Sequence, residues 1–317
     1  MSTKYFFSFV TLLLSLSFAM TSQAAVKELT WAGCGISKKG FMNDLAKAYE
    51  AKTGIKIKIA GGGATKGLRQ VASGKLDLGG SCRLPLVLKN KDGTSQVLGI
   101  ENNLNVIPVG WDALVAIVHP DNKMIDSITT DQLKDLFSGK INNWKQLDGK
   151  TDKPINLYVR KGKISGVGLT LRQQLFNNTD QKFYKKATVL KSSGKIETAL
   201  EKDPYGIGVS GISSSRHRNL TMLKLDGVEP TMQNLKKSKY KLYRILFLVA
   251  PKDYQKNPDL KAFVDFSLSI DGQKVIQKAG TLPYRQGFGL LRTAASFEYL
   301  RAMDIVDREG LYSLGGH

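Results

Sequence analysis

The chain has 317 residues and a formal charge of +20 at pH 7, from 47 Lys and Arg set against 27 Asp and Glu. That length is enough for two domains, and a basic surplus of this size favours small anions or an acidic surface as partners. The charge is spread through nearly every segment without a basic run interleaved with aromatics, which argues against nucleic acid; two cysteines argue against a disulfide scaffold, and three scattered histidines argue against zinc.

Lys4, the apolar stretch from Phe6 to Met20 and the small residues around Ser22-Gln23-Ala24 have the order of a secretory signal peptide, with cleavage expected after Ala24. No cysteine follows for a lipid anchor, and no later apolar run is long enough to cross a bilayer. A soluble exported protein, periplasmic in a bacterium, is therefore expected.

Glu28 to Ala32 predicts a short strand that runs into GCGISKKG, residues 33–40. Phe41, Leu45, Ala48 and Tyr49 then recur at helical spacing, with Gly54 as the stop. Ile55 to Ala60 predicts a second strand. It leads into Gly61-Gly62-Gly63, a helix with Leu68 and Val71 on one face, a short strand, and the turn GGSCR. Strand, glycine turn and helix repeated in this way predict a parallel α/β sheet, in which ligands sit beyond the carboxyl ends of the strands. Turns 33–38, 61–66 and 79–84 all fall at that rim. Turns without Cβ atoms, followed by helix N-termini, present unpaired N–H donors and a positive dipole end, which suits a small oxyanion.

Residues 86–104 read as a polar loop with a short helix. Asn105–Val109 and Asp112–His119 read as apolar strands, the second closed by Pro120-Asp121-Asn122; His119 reads as a strand-end residue without a chemical role. A helix capped by Ser or Thr begins near residue 129 and ends at Ser138-Gly139, and Trp144 reads as core. Pro154–Val159 predicts a strand leading into RKGKISGVG, residues 160–168, and a helix carrying Leu171, Leu175 and Phe176. This fourth turn brings Arg160, Lys161, Lys163 and Ser165 to a helix start, again suited to an anion. Residues 193–202 predict a helix; 206–210, 220–225 and the very apolar 242–250 predict strands; 258–270, 272–279 and 293–308 predict helices.

At this point the chain resembles the periplasmic phosphate-binding proteins, the ligand-capturing components of ABC importers. The resemblance runs from about Leu29 to Pro283. It rests on GCGISKKGFMNDLAKAYEAKTGIKIKIAGGGATKGLRQVASGKLDLGGSCR, DALVAIVHPDN, ITTDQLKDLFSGKINNW, SGVGLTLRQQLF and FVDFSLSIDGQKVIQKAGTLP. It implies an α/β class II binding-protein fold of two lobes with the ligand cleft between them: 25–120 plus 240–292, and 121–239, with 293–317 as a C-terminal extension. It also implies a small oxyanion ligand, phosphate first, and an ABC permease as partner, with no cofactor, no metal, no catalytic residues and a monomeric state.

The ligand positions that the resemblance implies are Ser37 with the Lys38 amide, Ala64 with Thr65, Cys82-Arg83, Arg160 or Lys161, and Ser165-Gly166-Val167. Several depart from the family pattern: Ala64 and Val167 stand where hydroxyls are usual, and Cys82 stands where other members place an aspartate. The same alignment sets Cys34 and Cys82 in adjacent ligand loops, where they either bridge or remain as thiols near positive groups. The alternative reading of the whole is a sensor or surface-interaction protein of the same fold without a transport role. An enzyme is disfavoured, because the turns hold no carboxylate pair, Ser-His-Asp set or metal cluster.

Overall fold

Runs rich in Val, Ile and Leu, separated by glycine turns, build one long sheet in this computed structural model, which describes residues 28–292 and 304–308. We label the main strands β1 (Glu28–Gly33), β2 (Lys56–Gly61), β3 (Leu78–Ser81), β4 (Leu104–Val118), β5 (Asn156–Arg160), β6 (Thr188–Leu190), β7 (Gly206–Gly211) and β8 (Tyr243–Pro251). Their order in space is β2-β1-β3-β8-β4-β7-β5-β6, with the short pieces Thr221–Met222 and Leu282–Pro283 also paired to β4. β1 runs parallel to β2 and β3, and β5 parallel to β6 and β7, so each end of the sheet is a parallel α/β unit. The two central strands run antiparallel to their neighbours.

The strand β4 belongs to both halves. Its residues Leu104 to Ala113 pair with β8, whereas Leu114 to Val118 pair with β7. All fifteen of its residues are buried. A single strand here corrects the expectation of two separate ones. Pro108 and Gly110 look like an interruption, but they face the consecutive residues Phe247 and Leu246 of β8, so Val109 is an extra residue that bulges β4 itself, and a bulge accommodates a proline that cannot donate to the ladder.

Three helical segments, Gly35–Ser37, Lys38–Met42 and Asn43–Thr53, follow one another without a break as helix α1. The middle segment is a π-turn, and Gly54 in the left-handed conformation (φ 74°) ends the helix. The other helices that matter for the site are α2 (Ala64–Ala72), α3 (Thr130–Ser138), α4 (Gly166–Phe176) and α5 (Ser193–Leu200). Thr129 and Gln132 form a reciprocal capping box at the start of α3.

Two further expectations are corrected. Residues 86–104 contain a hairpin of Val87–Lys89 with Ser95–Val97 and a 3₁₀ turn at Gly99–Glu101, its polar loop sequence hiding strands that are only three residues long. Residues 220–225 divide into Thr221–Met222 on β4 and Lys224–Leu225 on Ser127–Ile128, because the chain changes sheets at Leu223. Of the proposed C-terminal helix, residues 304–308 are helical, with Ile305 and Val306 buried, and the rest lies outside the described residues, as does the signal segment.

Candidate anion site

The tips of β1, β2 and β3 share one rim because the three strands are parallel and in register. Trp31 sets the shape of that rim from below. A Cβ at Gly33 would lie 2.6 Å from the Trp31 ring, and one at Gly80 would lie 2.1 Å from it, so the indole occupies the space a side chain would need at either turn. Beyond Gly33, Cys34 caps α1: its sulfur accepts from the Ser37 amide at 3.2 Å and lies 3.0 Å from Ser37 Oγ. Ser37 Oγ also reaches the Ser81 carbonyl at 3.5 Å, tying the first turn to the third.

The second turn uses left-handed Gly62 and Gly63, a conformation that a side chain would strain. Gly63 donates to the Gly33 carbonyl at 3.0 Å, so this turn also leans on the first. The opening turn of α2 then presents its first amides outward, since they have no intrahelical partner. Ala64 is buried at this place, and Thr65 is half-buried.

The fourth turn faces these three from the other half of the sheet. Gly166 comes so close to the third turn that a Cβ on it would lie 2.2 Å from Cys82 Sγ. The Ile164 carbonyl accepts from Thr65 Oγ1 at 3.2 Å and from Arg83 Nε at 3.1 Å. Ser165 is the N-cap residue of α4, yet its Oγ is buried and has no hydrogen-bond partner among the described residues. Arg160 is half-buried, donates to the Leu190 carbonyl at 3.1 Å, and turns a guanidinium nitrogen to within 3.7 Å of the position of a Gly63 Cβ. Its neighbour Lys161 is exposed. A cavity of 260 Å³ lies between the second and fourth turns, walled by Gly62, Gly63, Thr65, Arg160, Lys161 and Ser165. A larger cavity of 490 Å³ lies on the other side of Arg83, among Leu84–Lys89, Leu169 and Ile305. Its wall is half aliphatic and half polar, with Lys89, Lys163 and Asp180 among the lining residues.

Arg83 has a different task from the one the sequence suggests. Its guanidinium meets Glu101 in a fork, at 2.9 Å and 2.8 Å, and also donates to the carbonyls of Leu84 and Ile164 and, at 3.4 Å, to Thr65 Oγ1. All of its donor atoms are engaged by protein, and its charge is matched by a buried carboxylate. Burial raises the Glu101 pKa, but the hydrogen bonds and charge of Arg83 outweigh this and hold it below the usual value. Arg83 ties the first half to the second through Ile164.

Two residues absent from the sequence reading stand at the floor. Arg244, the second residue of β8, pairs with Asp112 of β4, with Nη2 3.5 Å from Asp112 Oδ2. Its side chain is 1% exposed, and its Nε and Nη1 have no hydrogen-bond partner among the described residues. Asp112 Oδ1 accepts from the Ser213 amide at 3.0 Å, and burial lifts its pKa despite the attraction of Arg244. A charged residue inside the otherwise apolar run LYRILFLVA is the signal that marks Arg244 in the sequence.

Cys34 and Cys82 are both free and buried, and each thiol perturbs the titration of the other. Burial raises the Cys34 pKa, but the Cys82 thiol and the charge of Arg244 bring it down to about 6, while the Cys34 thiol and burial drive Cys82 well up. The fields of both thiols and of Arg244 reach Arg160, whose own pKa is drawn down chiefly by burial. The sequence-derived Ser37, Ala64, Thr65, Cys82, Ser165, Gly166 and Arg160 thus gather around one cleft. Val167 is buried in the first turn of α4, and Lys38 is half-buried in α1.

Two α/β halves with a shared central strand, and a cleft ringed by turns from both, define a two-lobed solute-binding fold. The chain belongs to the PBP superfamily, whose domain model matches residues 20–271. It is similar to the phosphate-binding protein PstS of Bacillus subtilis, at 26% identity over 269 residues, covering 84% of this chain and 83% of that one. The PstS of Borreliella burgdorferi is 27% identical over 205 residues, covering 62% of this chain and 71% of its own. Among solved structures, a putative phosphate ABC transporter substrate-binding protein from Clostridium perfringens with bound phosphate superimposes with a TM-score of 0.69 at 24% identity, covering 81% of this chain and 99% of that one. An ABC-type phosphate transport receptor from Vibrio cholerae gives 0.59 at 22% identity, covering 81% of this chain and all of the other. These two likenesses speak to the fold.

Proposed function

We propose that this protein captures a small tetrahedral oxyanion, phosphate first, in the cleft between its halves and delivers it to the permease of an ABC importer. The observation that carries this reading is the meeting of the second and fourth strand-tip turns, which open α2 and α4, around a cavity lined by Arg160 and Ser165. Open helix amides and guanidinium groups out of water are what a multiply charged oxygen ligand requires. The PstS relatives, aligned over most of their length, give the ligand class its name.

In this reading Ser37, Thr65, Arg160, Ser165 and Gly166 contact the anion, with Ala64, Cys82 and Val167 shaping the wall; the Lys38 amide, expected as a donor, is instead given to the Cys34 carbonyl at 3.0 Å. The lobes are 25–120 with 240–292, and 121–239. The protein works as a binding protein without turnover, as a monomer in the periplasm after loss of residues 1–24. No described helix is long and apolar enough to cross a membrane. Isothermal titration with phosphate, arsenate, sulfate and molybdate tests the assignment. Heat with phosphate supports it, and silence with all four removes the small-anion reading.

A further inference from the structure

Two arginines lie equally deep near the cleft, and the protein treats them in opposite ways. Both side chains are 1% exposed. The donor atoms of Arg83 are all occupied, with a two-point contact to Glu101. Among the described residues Arg244 makes a long single contact to Asp112, and its Nε and Nη1 have no hydrogen-bond partner. Buried donors without partners are rare, and those on a charged group are costly, because both the lost hydration and the charge are uncompensated. A fold that satisfies one buried arginine completely has the means to satisfy another.

The location of Arg244 follows from strand register. β8 runs antiparallel to β3, with Phe247 opposite Ser81, the last residue of β3. Arg244 lies three residues farther along, past the tip of β3, on the rim that carries the turns. Its charge acts on the Cys34 and Cys82 thiols, one from the first turn and one from the third, and on Arg160 from the fourth. It thus lies within electrostatic reach of three of the four turns. Asp112 cannot use its full charge on Arg244, because Oδ1 is already held by the Ser213 amide.

We propose that Arg244 is the buried cation that donates to the captured oxyanion, and that Asp112 is a positioning residue that holds its guanidinium toward the cleft. This deepens the oxyanion reading and rests on it: the ligand meets a fixed arginine on β8, beside the strand shared by the halves, in addition to Arg160 on the fourth turn, while Arg83 stays outside the first contacts. A guanidinium suits this place better than an ammonium, because its donors are planar and fixed in direction.

The test is titration of inorganic phosphate into wild-type protein and into the R244M, R244K and D112N variants, with thermal unfolding measured alongside. Arg244→Met is expected to lower affinity about 100-fold or more, the size expected for loss of charge-assisted hydrogen bonds in a closed site. Arg244→Lys is expected to recover only part of that, and Asp112→Asn to cost about tenfold. A folded R244M that binds phosphate as tightly as wild type overturns the proposal and leaves the oxyanion function intact. A wild-type protein that binds none of the four anions overturns both. Should R244M not fold, the 15Nε–1H signals of wild-type arginines, assigned through bonds, decide. Phosphate is expected to shift the Arg244 signal and leave that of Arg83 in place; an unmoved Arg244 signal refutes the assignment.

Discussion

Gly166→Ala separates closure of the cleft from stability of the fold. Gly166 begins α4, and its φ lies outside the left-handed range, so alanine is compatible with the backbone there. The added methyl would, however, stand 2.2 Å from Cys82 Sγ and 3.3 Å from the Cys82 carbonyl oxygen. Ordinary contact begins near 3.4 Å. Cys82 is buried and short, so it has little room to turn away, and the halves must part by more than about 1 Å. That displacement removes contacts from one side of the anion. A hydrogen bond to a charged group is worth about 1.5–3 kcal/mol, so one such loss weakens binding roughly 10- to 100-fold. Calorimetric titration with phosphate is expected to show this drop, while the unfolding midpoint without ligand stays at or above the wild-type value. Cys82→Ala in the same chain removes the nearest clashing atom and is expected to restore part of the affinity, measured relative to C82A alone as a double-mutant cycle. If G166A binds phosphate like wild type, the two turns do not need to meet as described and the reasoning fails.

Glu101→Gln uncouples the Arg83 clasp. It leaves a buried arginine without its counter-charge, and urea unfolding at pH 7 is expected to show a loss of about 3 kcal/mol or more. The Glu101 pKa is lower in the folded chain than its ordinary 4.5, so the pair contributes stability above that pH and loses it as acid protonates the folded carboxylate. The stability gap between wild type and E101Q should therefore narrow below about pH 4.5, and a gap that stays constant to pH 2 contradicts the pair. For the thiols, the rate of iodoacetamide labelling at Cys34 is expected to rise with a midpoint near pH 6, where its thiolate forms, instead of near 9. Mass spectrometry of the unreduced, alkylated protein reads the bridge directly, and two labelled cysteines exclude a Cys34–Cys82 disulfide. Finally, Trp31 lies against Gly33 and Gly80 beneath two of the turns, whereas Trp111 stacks on Tyr284 at 5.5 Å and donates to its carbonyl. Phosphate should change the emission of wild-type protein and leave that of W31F nearly constant; a full response in W31F shows that the signal arises elsewhere.

The local features of the site were legible in the sequence. Glycine turns that end apolar runs and begin helical patterns predict where a parallel sheet opens its strand tips, and those turns do share a rim. Cys34, Cys82, Ser165 and Arg160 stand out because they are polar or reactive residues at those tips. What was not legible depends on partners distant in sequence. Arg83 looks like a ligand cation until Glu101, hidden in a short 3₁₀ turn, is seen to neutralise it. Arg244 looks like a flaw in an apolar strand until the register sets it beside Asp112 and past the end of β3. The choice between Arg160 and Lys161 depends on which side chain turns inward, and their adjacency in the chain carries no information about that. The break expected between residues 109 and 112 is absent because a bulge at Val109 absorbs the proline without ending the pairing, an arrangement visible only once the pairing is known.

A strand common to both halves gives this molecule a leaf spring in place of a pivot. The hand-over on β4 from β8 to β7 falls between Ala113 and Leu114, a few residues from the bulge at Val109. Any parting of the jaws has to flex this hydrogen-bonded ribbon, and the ribbon pulls back. The ease of opening is then tied to the stiffness of one continuous, fully buried strand.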